Sequence, residues 1–103
     1  MRSKIITYRD DDERPQARLA LANGDRIVIL LDRGGVTISQ TDANPKILFQ
    51  AGPEVTSRLC ASFVDPQASP ATRPLQILAA IVLQFDSAHN VASAFREASA
   101  QIS

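Results

Sequence analysis

Residues 16–41 read QARLALANGDRIVILLDRGGVTISQT, and the two turns inside this stretch decide the fold. Asn23-Gly24 stands between two apolar runs. A type I′ turn needs φ > 0 at both central residues, and Asn-Gly is its strongest sequence signal. Before it, Leu19 and Leu21 alternate with Arg18 and Ala20, the period of a half-buried strand. After it, Asp25–Asp32 (DRIVILLD) is apolar on both faces, as a central strand should be. Arg33-Gly34-Gly35 marks a second turn, and Val36–Thr41 alternates again.

Turn length sets register. A two-residue loop at Asn23-Gly24 places Leu21 opposite Arg26 and Leu19 opposite Val28. The shared face then carries Leu19, Leu21, Val28 and Leu30. A three-residue loop at Arg33–Gly35, with a glycine in the left-handed region and a bulge, sets Ile38 opposite Leu30 and keeps one face. A slip of one residue would turn a strand over. Ile27, Ile29 and Leu31 are left as an apolar strip on the second face.

Working outward, Ser3–Arg9 (SKIITYR) has the β-branched and aromatic content of a strand. Asp10–Pro15 is a charged turn. Asp42-Ala43-Asn44-Pro45 is another turn, and Lys46–Gln50 (KILFQ) is a short last strand. Helical signals follow. Gly52-Pro53-Glu54 opens a helix, with proline in the first position and an acid in the first turn. Val55, Leu59 and Phe63 recur at helical spacing. Asp65-Pro66 ends that helix, and Pro66–Pro74 is a Pro/Ala/Ser connector too short to part domains. Pro74 opens the next helix. Asp86-Ser87 either caps a third helix or lies within one long one.

Together these elements predict a single α+β domain over residues 1–103. It has two layers: an antiparallel β-meander of four or five strands, followed by two or three C-terminal helices packed on one face.

Leu75–Phe85 (LQILAAIVLQF) is apolar almost all the way round. A helix without a polar face is buried on most sides. Full burial of its large side chains is worth on the order of 10–20 kcal/mol as an upper figure. One small sheet face covers about half a helix, and after Asp86 only Arg96 and Glu97 are charged. The sequence therefore points to a homodimer, with Leu75, Leu78, Val82, Leu83 and Phe85 as the contact. The function this favours is a non-enzymatic, self-associating interaction or regulatory module. The alternative is a small-molecule-binding domain or small enzyme, with Arg58, Asp86 and His89 near a cleft between sheet and helices.

Other classes are disfavoured. Formal net charge is zero, and acids interleave with every arginine cluster, which leaves no phosphate-binding excess for nucleic acid. Residues 75–85 hold no Arg or Lys to read base edges. That run is also well short of the ~20 apolar residues a membrane span needs. The start MRSKIITYRDDDE has no apolar signal region. A single cysteine, Cys60, suits a reducing compartment, so a cytoplasmic location is expected. Cys60 reads as a buried small hydrophobe. Asp10–Glu13 lacks the spacing of a calcium loop, and one histidine with one cysteine does not make a zinc site. Arg33-Gly34-Gly35 is not followed by a phosphate-binding pattern. No catalytic residue, metal or cofactor is expected.

Overall fold

The computed structural model describes residues 4–9, 15–41, 45–63 and 74–102, with backbone alone for 4–9 and Phe63. Five strands run in chain order across one antiparallel sheet: β1 (Lys4–Arg9), β2 (Gln16–Ala20), β3 (Arg26–Asp32), β4 (Gly35–Gln40) and β5 (Lys46–Ala51). Three helices follow: α1 (Pro53–Phe63), α2 (Pro74–Val82) and α3 (Ala88–Ile102). This is the α+β meander that the turn spacing predicts. The Asp10–Glu13 run, Asp42–Asn44 and the connector at 64–73 lie outside the described residues.

Both hairpins differ from the expected register by one residue, in opposite senses. At the first, the Leu21 N–H donates to the Asp25 carbonyl and the Gly24 N–H to the Leu21 carbonyl, each at 2.9 Å. The loop is therefore Ala22–Gly24, three residues long, with Gly24 left-handed at φ +97°. Asn23 does not adopt positive φ. Its side-chain Oδ1 instead accepts the Asp25 N–H at 2.9 Å, which holds a different turn. At the second hairpin Asp32 stands opposite Gly35. Arg33 and Gly34 form a tight pair, with φ +54° and +85°, the type I′ signature.

The two slips cancel for β2 and β4 and turn β3 over between them. Leu19 pairs with Ile27, Ile29 with Ile38 and Leu31 with Val36. The face toward the helices is thus Ala17, Leu19, Ile27, Ile29, Leu31, Val36 and Ile38, all buried. Val28 and Leu30, expected in the core, lie half-buried on the face that the helices leave open. A bulge between β4 and β5 turns both Leu48 and Phe49 into buried positions.

The helices share the inner face. α2 lies against β2 and β3, α1 against β4, and α3 against β5. The Phe49 and Phe95 rings meet at 5.4 Å between centroids. Gly35 is required by close approach: a Cβ there would lie 2.9 Å from the Ala51 carbonyl oxygen.

One polar clasp ties the sheet to α3. Asp25 Oδ2 accepts the Ala88 N–H at 2.8 Å, 63 residues along the chain, and the Asn23 Nδ2 amide at 2.9 Å. The Asn23 N–H donates to the Asp86 carbonyl at 3.1 Å. Asp25 thus supplies the acceptor that an orphan amide of a helix start requires. The Ala88 N–H, then the Asn23 amide, hold its carboxyl below the ordinary 3.8, against partial desolvation and with a smaller contribution from Lys46.

Asp25→Ala should lower stability by about 1–2 kcal/mol, read from chemical denaturation. Because the folded-state pKa is depressed, Asp25 contributes stability above its unfolded value, and that stability is lost as pH falls through the folded value. The Asp25→Ala chain should therefore lose less stability on acidification than the parent; equal losses would contradict this role. Gly35→Ala should cost about 1–3 kcal/mol, whereas Gly52→Ala, with open space around it, should stay within about 0.5 kcal/mol.

Candidate functional site

The apolar run 75–85 does not continue as one helix. α2 stops at Val82, and the Gln84 and Phe85 amides donate back to the Ile81 and Val82 carbonyls at 3.1 Å, tightening its end. Ser87 then caps α3, its Oγ accepting the Asn90 N–H at 3.2 Å. This break swings α3 across the sheet and opens a groove beside the end of α2.

The groove has a volume of about 220 Å³. Ile81 and Phe85 line it from the α2 side, and Ala94, Phe95 and Ala98 from α3. Gln84, Glu97 and Gln101 are its polar lining, and Glu97 is its one ionisable side chain. It holds no hydroxyl, thiol or imidazole. Such a lining binds apolar groups and orients them through carboxamide and carboxylate edges.

The expected contact residues divide between interior and groove. Leu75, Leu78 and Val82 are at most 1 % exposed, enclosed by the chain's own sheet and helices. They leave no surface for a second copy. Leu83 and Phe85 are half-buried and pack on the margin of the core, and Phe85 lines the groove. The α3 side of the groove was not legible as a site. Its only sequence signal is the scarcity of charge after Asp86.

His89 and Asp86 are exposed near the start of α3. Arg58 pairs with Glu54 one turn away at 2.9 Å. The groove includes none of Arg58, Asp86 and His89. A second cavity, of about 240 Å³, is lined by Leu31, Pro53, Thr56, Cys60 and Pro74 among others, and it includes none of the three either. Cys60 is buried, as its sequence context suggests, and desolvation raises its thiol pKa. Thr56, also buried, has its hydroxyl 3.4 Å from the Ala51 carbonyl. Among the described residues no three His, Cys, Asp or Glu side chains gather to hold a metal ion. No helix among them is long and apolar enough to cross a membrane.

No family model, no curated protein and no solved structure matches this chain.

A thiolate is the reactive form of cysteine, and burial with a raised pKa suppresses it. Cys60 should react with an aromatic disulfide reagent far more slowly in the folded protein than in denaturant. Equal rates would show the thiol to be open.

Proposed function

We propose that this chain is a non-enzymatic interaction module that self-associates as a homodimer, and that the contact lies on the margin formed by Leu83, Phe85 and the α2–α3 groove. The groove carries this reading: an apolar recess at the surface, beside half-buried Leu83 and Phe85, with one charged side chain in its lining. Apolar surface left at a rim of polar residues is the usual mark of a contact.

Charge supports a homotypic partner. The formal net charge is zero, so two copies meet without long-range repulsion. α2 carries no charged residue at all, and α3 has only Arg96 and Glu97. The lining of the groove supports binding over chemistry, because it brings no nucleophile and base together.

A dimer contact would not cover α2 as a whole, since the chain's own sheet and helices bury most of it. It would cover the smaller apolar margin at Leu83 and Phe85.

Light scattering at tens of micromolar should give twice the chain mass. Leu83→Glu should halve it while leaving the circular dichroism spectrum intact, and Gln84→Arg, at an exposed groove position, should weaken association without loss of stability. A wild-type mass of one chain at that concentration would end the proposal.

A further inference from the structure

We infer that the sheet face left open by the helices is a second contact between copies of this chain. Two such faces stack with β3 antiparallel over β3, and Arg26 of each copy meets Asp32 of the other. This contact goes beyond the groove margin and does not depend on it, because it uses the opposite side of the sheet.

Register fixes what the open face carries. Along β3, Arg26, Val28, Leu30 and Asp32 alternate with the buried Ile27, Ile29 and Leu31, so all four share the open side. Val28 lies between Arg18 of β2 and Ser39 of β4, and Ser39 lies opposite Ile47 of β5. Leu30 lies between Gln16 and Thr37, and Thr37 lies opposite Gln50, whose amide donates to the Thr37 hydroxyl at 3.4 Å. The middle of the face is therefore aliphatic, with Val28 and Leu30 half-buried. Ile47 extends it toward β5 and is 59 % exposed, the one exposed large hydrophobic side chain among the described residues. Apolar side chains gathered within a polar surround mark a contact surface.

Charge selects the occupant and its direction. Arg26 and Asp32 stand at the two ends of β3, about 20 Å apart. Among the described residues neither is held in an ion pair. The face is positive at one end of its central strand and negative at the other, so it complements itself when turned end for end. A two-fold axis lying between the sheets and across the strands makes that turn. With the axis over Ile29, Val28 meets Leu30 of the other copy, and the Arg26–Asp32 pair forms twice. Arg18 then lies over Gln16 and not over a second cation. An axis along the strands would instead set Arg26 on Arg26 and Asp32 on Asp32. Stacked sheets lie about 10 Å apart with strand directions within about 30°, a spacing that arginine and aspartate bridge from opposite sides. A face of five short strands makes a small contact of the weak, transient class, so this association belongs at hundreds of micromolar.

Sedimentation equilibrium of the full chain tests this. Whatever its mass at tens of micromolar, the weight-average mass should rise further toward the millimolar range, and less steeply as salt is added. Arg26→Glu and Asp32→Lys each set like charges together at both ends. Either alone should weaken this step about tenfold or more. An equimolar mixture of the two variants should recover it, because every pair between unlike copies is again opposite in charge. Both positions are exposed, so thermal melts should be unchanged. No further rise in wild-type mass up to the millimolar range would overturn the proposal and leave the face to water or to a different partner. Wild-type association by either single variant would overturn the Arg26–Asp32 contact. Loss in both variants without recovery in the mixture would overturn the antiparallel stacking.

Discussion

The orientation of β3 governs everything built on the sheet. Its two faces are nearly equal in hydrophobicity, Ile27, Ile29 and Leu31 against Val28 and Leu30. The side turned inward receives α2 and completes the core with Leu19, Leu21, Val36 and Ile38. A one-residue slip would exchange the two sets. The three-residue Ala22–Gly24 loop and the two-residue Arg33-Gly34 loop hold the choice from both ends, each offsetting the other so that β2 and β4 keep their inner faces.

Those loops are themselves held by tertiary contacts. Asn23 and Asp25 are used by the start of α3, through the Ala88 amide and the Asp86 carbonyl. A type I′ turn at Asn23-Gly24 would carry these groups elsewhere. On the other side, Gly35 approaches Ala51 too closely for any side chain. The glycine pair at 34–35 therefore serves two purposes: Gly34 supplies a left-handed turn residue beside Pro53, and Gly35 permits strand β4 to pass the end of β5. Arg33 adopts positive φ as the consequence, an uncommon conformation for a residue with a Cβ.

The same inward face changes the meaning of α2. An almost wholly apolar helix in a short chain suggests a surface in need of a partner. Here the sheet lies beneath it, α1 touches it, and Leu75, Leu78, Ala79, Ile81 and Val82 are enclosed. Within residues 75–85 the large apolar side chains that keep part of their surface are Ile77, Leu83 and Phe85, the last two where the run outlasts the helix. The groove is thus a by-product of the Asp86-Ser87 break, which needs a capped helix start docked on the β2–β3 turn.

The sequence by itself determined the class of fold, the strand order and the starts of α1 and α2. Strand alternation, Gly- and Asn-bearing turns, Gly52-Pro53-Glu54 and Pro74 are local signals, and local backbone preference is enough to express them. It also marked Cys60 as interior and Leu83 and Phe85 as contact candidates. Tertiary structure alone decided which face of β3 is core, whether residues 75–102 form one helix or two, and where apolar surface survives. A strand apolar on both sides carries no directional pattern, and the length of a hairpin loop depends on what its side chains bind in a distant element. The enclosure of Leu75, Leu78 and Val82, and the groove beside them, follow from packing between segments that no local period encodes.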